Sequence, residues 1–286
     1  MSGGVSVVRS LAALRTQVRA WRAAGDRIAL VPTMGALHRG HLELVRLAKV
    51  RCQRAVASIF VNPTQFAPHE DFERYPRDEA GDLAKLASVG CDLVWAPGPS
   101  EMYPEGFATR VVPGGAADGL ESEFRPHFFT GVATVCCKLF TQVAPDIAVF
   151  GEKDYQQLTV VRQTVRDLNL PLEIVGADTV READGLAMSS RNAYLSAEER
   201  RIAPLLYSTI AGVARAAATR GNVAAAVGDG KAALAAAGFK VDYLEACDAE
   251  TLRPAAPNDR TALGRPLRVL AAAWLGKTRL IDNVAA

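Results

Sequence analysis

The sequence lacks a strong charge of one sign and lacks long apolar runs. Its 33 lysine and arginine residues nearly balance 31 aspartate and glutamate residues, for a net charge of +2. Proteins that bind nucleic acid without sequence preference neutralise many phosphates with a positive surface, so this balance argues against that class. No apolar stretch approaches the roughly 18 residues that a membrane-spanning helix needs. The sequence therefore predicts neither a nucleic-acid partner nor a membrane partner.

Cysteine is scarce and shows no metal-binding or disulfide pattern. The chain has five cysteines, an odd number, and no C-x-x-C pair, so neither a disulfide framework nor a zinc ribbon fits. A reducing cytoplasm is the expected location. Four arginines precede the first acidic residue, as in a transit peptide. The apolar residues of that segment recur at helical spacing, however, and we interpret it as a surface helix of the fold.

The length of 286 residues suits about two domains, and a hydrophobic content of 49% is ordinary for a globular protein. Helical and strand-like patterns alternate through the first part of the chain. The predicted helices are 6–24, 38–52, 78–89, 130–143 and 155–167, and the predicted strands are 28–31, 55–61, 92–95, 146–150 and 172–175. Helical crossovers join parallel strands, so this alternation predicts an α/β fold with a Rossmann-like doubly wound parallel sheet.

The pattern changes near Asp178. Ser196 and Glu199 form a capping box that begins a helix, and an alanine-rich helix follows Asn222. Strand-like runs come after them, at 239–246, 267–273 and 278–284. Helices followed by consecutive strands predict a smaller α+β C-terminal domain with an antiparallel sheet. We therefore place the two domains at 1–178 and 179–286.

A histidine pair follows the predicted strand 28–31. The segment V-P-T-M-G-A-L-H-R-G-H at 31–41 runs from a strand end through a glycine turn into a helix. His38 and His41 are three apart, so they share one face at the helix N-terminus, where backbone N–H groups favour anions. Metal ligands or incidental surface histidines would give the same pattern. Two of the chain's four histidines lie in this one turn, which favours phosphate binding, and H-x-G-H is a signature of the nucleotidylyltransferase superfamily.

Two further segments suit phosphate. F-G-E-K-D-Y-Q-Q at 150–157 again joins a strand end to a helix, and its Lys153 would supply positive charge, although a single lysine there is usually just solvated. M-S-S-R-N at 188–192 combines two hydroxyls with a guanidinium, which suits phosphate but also fits an ordinary turn. Ligands of open α/β sheets bind outside the carboxyl ends of the strands. We therefore expect the histidine turn at 31–41 and the segment at 150–157 to face one crevice.

Taken together, these segments resemble the pantoate-β-alanine ligase (pantothenate synthetase) family nearly end to end. F-V-N-P-T-Q-F at 60–66, Y-P-R-D at 75–78 and R-E-A-D-G-L-A-M-S-S-R-N at 181–192 also match in order. The resemblance implies a Rossmann-like domain for ATP and pantoate, a C-terminal lid domain, and a cytoplasmic homodimer formed through the first domain. It also implies an enzyme of coenzyme A biosynthesis that uses ATP and Mg²⁺. That enzyme would make pantoyl adenylate and pyrophosphate, then pantothenate and AMP from the adenylate and β-alanine.

The resemblance further implies roles for single residues. The expected catalytic groups at the ATP phosphates are His41, His38 and Lys153. The rest of the expected ATP site comprises Pro32, Thr33, Met34, Gly35, Gly151, Asp154, Val180, Met188, Ser189, Ser190 and Arg191. The expected pantoate and β-alanine site comprises Gln65, Gln157, Asn62, Tyr75 and Arg125. No protein metal ligand is expected, since Mg²⁺ would be held mainly through the phosphates.

One segment departs from the family pattern. R-P-H-F-F at 125–129 stands where the family commonly has R-P-G-H-F, so the histidine is shifted by one place and Phe128 takes its position. The departure puts a role for His127 in doubt and weakens the case for Arg125. His69 is expected at the surface.

The sequence leaves two other functions open besides that of a ligase. A nucleotidylyltransferase with a phosphorylated acceptor has the same fold, but it would need extra basic residues where N-P-T-Q-F offers amides. A regulatory module would bind ATP without releasing pyrophosphate.

Overall fold

The computed structural model describes residues 4–67, 70, 72–220, 223–255 and 266–286, with the backbone alone at 218–220. His69 lies outside the described residues. Two compact units make up the chain, here called the first unit and the second unit. The first unit consists of Met1–Gly114, Arg125–Glu152 and Val160–Asp178, and the second of Gly115–Phe124, Lys153–Thr159 and Thr179–Ala286. The functional division into an ATP domain and a lid stays a prediction.

The first unit contains a parallel sheet flanked by helices. Its strands are β1 (Ser6–Val8), β2 (Ile28–Thr33), β3 (Arg54–Ile59), β4 (Leu93–Trp95), β5 (Ile147–Gly151) and β6 (Glu173–Ala177). The helices up to β6 are α1 (Leu11–Ala23), α2 (Arg39–Arg51), α3 (Glu79–Ser88), α4 (Pro99–Met102), α5 (Glu121–Phe124), α6 (Phe128–Val143) and α7 (Tyr155–Asp167). Of these helices, α5 and the first turn of α7 belong to the second unit.

The strand order β1-β4-β3-β2-β5-β6 confirms the doubly wound parallel sheet. From β2 the chain builds outward through β3 and β4 on one side and through β5 and β6 on the other. The change of direction falls between β2 and β5, which pair in parallel with Leu30 opposite Ala148. In open α/β sheets a crevice forms at the carboxyl ends of the strands at such a switch point. A ligand is therefore expected beside the segments that follow β2 and β5.

The predicted helix 6–24 is wrong at its start. Ser6–Val8 forms the edge strand β1, in register with β4 from Ser6 opposite Leu93, and the helix begins only at Leu11. Ser10 caps that helix with its hydroxyl. Val8 falls at helical spacing from Leu11, so periodicity alone included it, whereas pairing with a strand far along the sequence decides its conformation.

A close approach of α6 to the turn after β3 shapes the first unit. A Cβ atom at Gly131 would collide with the carbonyl of Thr64, so glycine is required where helix and turn meet. The side-chain amide of Asn62 donates to the Gly131 carbonyl at 3.2 Å. The turn after β3 is thus fixed against the buried face of α6.

The second unit confirms the predicted α+β class. After β6 its helices are α8 (Ala197–Ile202), α9 (Leu205–Arg220) and α10 (Val223–Ala236), and its strands are β7 (Phe239–Asp248), β8 (Leu267–Leu275) and β9 (Thr278–Ala285). The strands form an antiparallel sheet in the order β7-β8-β9. The capping box of Ser196 and Glu199 is present. The helix it begins ends before Pro204, which cannot donate a helical hydrogen bond, and α9 follows as a separate helix.

All five cysteines are free thiols, four of them buried and Cys137 half-buried. No helix among the described residues is long and apolar enough to cross a membrane.

Candidate functional site

The H-x-G-H segment forms the junction between β2 and α2. His38 is the N-cap of α2 with an extended backbone, and His41 lies in the first turn. The Nδ1 of His38 accepts from the backbone N–H of Gly40 at 3.1 Å, and the Nδ1 of His41 accepts from the N–H of His38 at 3.3 Å. The ring centroids are 4.1 Å apart. The two imidazoles therefore cap the helix and lie side by side, as their spacing predicts.

These backbone bonds determine where each neutral ring carries its proton. A neutral imidazole has one donor nitrogen and one acceptor nitrogen. The Nδ1 atoms of His38 and His41 both accept, so the proton of each neutral ring lies on Nε2. Two Nε2–H donors at the N-terminus of a thirteen-residue helix suit negatively charged oxygens, because the helix dipole favours the same sign.

A buried carboxylate holds the turn that precedes the histidines. Asp82 in α3 is 1% exposed, and its two oxygens accept from the backbone N–H groups of Ala36 and Leu37, both at 2.8 Å. Gly35 and Ala36 have left-handed backbones, with φ of 82° and 51°, a conformation that costs a residue with a side chain roughly 1 to 2 kcal/mol. Asp82 stabilises this turn, a role that the sequence analysis missed.

Replacement of Asp82 by alanine is expected to lower the free energy of unfolding by about 2 to 4 kcal/mol, because two N–H groups lose their acceptor. Asp82→Asn keeps one acceptor oxygen and serves as the matched control, with a smaller loss. Urea unfolding of the two variants measures the difference. If Asp82→Ala were as stable as the unsubstituted protein, the carboxylate would not be what holds the turn.

The strand residues before the turn are tied to β3. Pro32 and Thr33 end β2, and the hydroxyl of Thr33 donates to the carbonyl of Ser58 at 2.6 Å. The same hydroxyl oxygen accepts from the N–H of Gly35 at 3.2 Å. Met34 between them is half-buried. The predicted ATP residues 32–35 therefore form one hydrogen-bonded junction with the neighbouring strand.

The turn after β3 holds two of the predicted substrate residues. Asn62 is 1% exposed and Gln65 is 7% exposed. The Nδ2 of Asn62 donates to the Oε1 of Gln65 at 2.8 Å, and its Oδ1 accepts from the hydroxyls of Thr64 and Tyr103, each at 2.9 Å. In the described part of the chain, the Nε2 of Gln65 has no hydrogen-bond partner. Asn62 thus orients the Gln65 amide and leaves its donor end for a ligand.

Arg125 joins Glu70 to the Gln65 turn. Two hydrogen bonds of 2.7 Å join its guanidinium to Glu70, and Nη2 also donates to the carbonyl of Gln65 at 2.9 Å. The guanidinium lies 4.0 Å over Phe128, the residue at the departure from the family pattern. Burial raises the pKa of Glu70, but the hydrogen bond and charge of Arg125 outweigh burial and hold that pKa below its usual value. The Nε2 of His127 is buried and has no hydrogen-bond partner within the described ranges.

Strand order brings the predicted residues of the first unit to one edge of the sheet. The His38 turn follows β2, the Asn62 turn follows β3, and Gly151 ends β5, and these three strands are neighbours. Tyr75 is buried against Phe66, the residue after Gln65, with ring centroids 5.9 Å apart. The carboxyl ends of β2, β3 and β5 therefore carry both the phosphate-type and the amide-type groups of the first unit.

In the second unit, Lys153 and Asp154 lie in a turn of 3₁₀-helix that precedes α7. The Nζ of Lys153 makes no hydrogen bond or ion pair with any residue that the structure describes, and the same is true of the Gln157 amide. The neighbouring Gln156 is 4% exposed and donates to two carbonyls of the segment 115–124. Gln156 therefore stabilises the fold, whereas the Gln157 amide has no hydrogen bond to any described residue.

The M-S-S-R-N loop lies at the end of a tight hairpin in the second unit. The N–H of Met188 donates to the carbonyl of Val180 at 2.9 Å. The hydroxyl of Ser189 accepts from the N–H of Arg191 at 3.2 Å and so begins the short 3₁₀-helix Ser190–Tyr194. The four predicted ATP residues of the loop are all half-buried. Hydroxyl and guanidinium groups are thereby held on one short, capped segment.

The fold and the H-x-G-H turn define an α/β protein whose doubly wound parallel sheet carries a phosphate-type turn at the carboxyl end of β2. The family model for pantoate-beta-alanine ligase matches residues 6–285. A pantothenate synthetase of Mesorhizobium japonicum is 59% identical over 97% of this chain and 96% of its own length, and one of Caulobacter vibrioides is 57% identical over 98% of each. The chain belongs to the pantoate-beta-alanine ligase family, and the resemblance stated from its motifs is confirmed.

Solved structures agree with this assignment. A pantothenate synthetase of Thermus thermophilus superimposes with a TM-score of 0.90 at 48% identity, covering 98% of this chain and 99% of the other. A pantoate-beta-alanine ligase of Francisella tularensis, complexed with beta-gamma ATP and beta-alanine, gives a TM-score of 0.79 at 31% identity, covering 98% and 97%. The family reaction joins pantoate and β-alanine, so the chain is a ligase of pantothenate biosynthesis.

Proposed function

We propose that this ligase uses ATP and works in two steps, through a pantoyl adenylate. The observation that carries the proposal is the pair of Nε2–H donors at the start of α2. The Francisella tularensis relative was solved with beta-gamma ATP and beta-alanine, which supports ATP as the co-substrate. In the first step a pantoate carboxylate oxygen bonds to the α-phosphorus, and the bond to the departing pyrophosphate breaks. In the second the amine of β-alanine bonds to the acyl carbon, AMP leaves, and the amine loses a proton.

The chemistry of the first step limits what the protein must supply. Pantoate's carboxylate is already ionised at pH 7, so its attack needs no general base. The barrier is lowered by holding the reactants in line and by neutralising negative charge on the departing pyrophosphate. We assign the second task to His38, His41 and Lys153, which offer two N–H donors and an ammonium group. Neutral amides at Gln65 and Gln157 suit an acid that also carries hydroxyls.

The remaining assignments are part of the same proposal. Proposed contacts to ATP are Pro32, Thr33, Met34, Gly35, Gly151, Asp154, Val180, Met188, Ser189, Ser190 and Arg191. Proposed supports of the pantoate and β-alanine pocket are Asn62, Tyr75 and Arg125. For Asn62 and Arg125 the internal bonds described above favour orientation of the Gln65 turn over direct contact with substrate.

We also propose that Mg²⁺ accompanies ATP and is held through the phosphate oxygens. The N–H and ammonium donors of the site suit phosphate, whereas Mg²⁺ prefers oxygen ligands, and the ion would supply further charge neutralisation. Among the described residues there is no group of three His, Cys, Asp or Glu arranged to hold a metal.

A cytoplasmic homodimer formed through the first unit completes the proposal. Free thiols at all five cysteines support a reducing location, and sedimentation equilibrium tests the dimer.

Isotope exchange between pyrophosphate and ATP tests the adenylate. If the first step stands alone, exchange is expected with pantoate and Mg²⁺ present and without β-alanine, because reversal of adenylate formation carries label from pyrophosphate into ATP. Exchange that strictly needs β-alanine would contradict a separate first step. ATP binding without any exchange or ligation would indicate the regulatory module instead.

Substitution of Gln65 by alanine is expected to raise the KM for pantoate about 10-fold or more while leaving the KM for ATP nearly unchanged, because the lost donor serves the acid. Steady-state titration of each substrate measures both constants. Gln65→Glu is the sharper companion variant, since it sets a negative charge against the pantoate carboxylate and is expected to weaken pantoate further. A defect confined to ATP would contradict the assignment of Gln65.

A further inference from the structure

Two adjacent residues of β9 contact Lys153 and the base of the hairpin that carries the M-S-S-R-N loop, the two segments of the second unit that the proposed function places at the phosphates. Asp282 and Asn283 are 4% and 3% exposed, unusually low values for polar residues on a strand. The motifs of the sequence analysis do not include either residue. The side chain of Asp282 bonds to Arg181 and that of Asn283 bonds to the Lys153 carbonyl, so the pair joins elements that are distant in sequence.

Asp282 holds the base of the hairpin that carries the M-S-S-R-N loop. Its two oxygens accept from the two terminal nitrogens of Arg181 at 2.6 Å and 2.9 Å. The same guanidinium donates to the carbonyl of Gly185 at 3.0 Å and lies 3.8 Å over the ring of Tyr207. Bidentate pairing together with stacking fixes the direction of an arginine as well as its position. The hairpin is thereby attached to β9 and α9.

The hairpin is joined in turn to the loop. The side-chain amide of Asn192 donates to Glu182 at 3.0 Å and to the carbonyl of Ala187 at 3.1 Å. Glu182 and Asp184 both receive hydrogen bonds of 2.6 Å from Arg200. Polar contacts therefore run without interruption from Asp282 through the hairpin to the last residue of the M-S-S-R-N segment.

Asn283 holds the other segment. Its Nδ2 donates to the backbone carbonyl of Lys153 at 2.8 Å, while its Oδ1 accepts from Arg268 at 2.6 Å. The Arg268 guanidinium lies 4.0 Å over the ring of Tyr155, two residues after Lys153. The N–H of Asn283 donates to Asp282 at 2.8 Å, so the two anchors also hold each other.

We propose that Asp282 and Asn283 are positioning residues that hold Lys153 and the 188–191 loop in a fixed relation to each other, so that both meet one triphosphate. This inference rests on the proposed function, which gives those two segments their role. Both anchors are buried and bonded within the protein, so neither is assigned a contact with substrate. Their effect on rate comes from keeping the Lys153 ammonium where charge develops, since a displacement of about 1 Å at a reacting centre can cost on the order of 10²-fold.

The test is a double-substitution cycle on pyrophosphate exchange. Asn283→Asp keeps the acceptor for Arg268 but replaces the donor to the Lys153 carbonyl with an oxygen. We expect it to lower the exchange kcat about 10-fold or more in the otherwise unchanged protein and less than about 2-fold in a Lys153→Ala background, because the positioned group is then absent. Its effect on the KM for ATP is expected to be small.

A matched control separates positioning from loss of stability. Asp242 on β7 has a side chain that is only 7% exposed and that accepts hydrogen bonds from Trp274 and Arg279. Asp242→Asn is expected to destabilise the same sheet and to change the rate by an equal factor in both backgrounds. Asn283→Ser, which loses the reach to Lys153 without adding charge, replaces Asn283→Asp if the latter does not fold.

The outcomes are distinct. No pantoate-dependent exchange by the unsubstituted protein would contradict the proposed function itself. A Lys153→Ala variant with full activity would remove both the role of Lys153 and the inference. If Lys153→Ala is impaired and Asn283→Asp lowers kcat by the same factor with or without Lys153, then Asn283 contributes stability alone and the positioning role is overturned.

Discussion

His41→Ala is expected to lower pantoate-dependent pyrophosphate exchange by roughly 10² to 10³, the loss of about 2.7 to 4 kcal/mol that removal of one preorganised donor from developing charge produces. The reason lies in the accepting Nδ1 of His41, which leaves Nε2–H as the donor of the neutral ring. Exchange rates at saturating ATP and pantoate measure the effect. The KM values for both substrates are expected to change much less than kcat.

His41→Asn separates the donor from the helix cap. The Oδ1 of asparagine can accept from the N–H of His38 as Nδ1 does, but the side chain has no group at the position of Nε2. Both variants are therefore expected to lose exchange activity, whereas only His41→Ala is expected to unfold at lower urea. Normal exchange by His41→Asn would show that the cap, and not the donor, is what matters.

Lys153→Ala is expected to lower exchange by a similar factor of roughly 10² to 10³, because an ammonium group aimed at the departing pyrophosphate stabilises charge that is greatest in the transition state. The Nζ of Lys153 makes no hydrogen bond or ion pair with any described residue. Its removal therefore breaks no ion pair among those residues. Unfolding by urea is expected to be nearly unchanged, and exchange kinetics with an unfolding curve on the same sample measure both.

Lys240→Ala is the matched control for Lys153→Ala. Lys240 lies on β7 of the same unit and is exposed, so its removal changes net charge by the same amount without touching the proposed site. Its activity is expected to equal that of the unsubstituted protein. Lys153→Arg retains the charge in a planar group and is expected to recover only part of the rate. Equal activity of Lys153→Ala and Lys240→Ala would remove Lys153 from the catalytic groups.

The sequence predicted those features of the molecule that depend on residues close together in the chain. The alternation of helices and strands predicted the parallel sheet, and the spacing of His38 and His41 predicted two rings at one helix start. The capping box at Ser196 is local as well, since its two residues are three apart. Residue roles at the site came from resemblance, and they stay predictions until the variants above are measured.

What the sequence did not show depends on contacts between distant positions. Asp82 meets Leu37 across 45 positions, Asp282 meets Arg181 across 101, and Asn283 meets Lys153 across 130. Aspartate and asparagine are ordinary surface residues by composition, and no local spacing distinguishes a buried one. Only the folded chain shows that they hold the segments on which the motifs lie.

The five unpaired thiols also bear on how the enzyme can be studied with electrophilic probes. Burial raises the pKa of Cys91 to about 11 and that of Cys247 to about 12, and it raises the pKa of Cys52, Cys136 and Cys137 as well. Maleimides react with the thiolate, which is therefore rare at neutral pH at every native cysteine. A cysteine introduced at an exposed position, as in Lys240→Cys, would be labelled first, so a single fluorophore can be attached without removing any native cysteine.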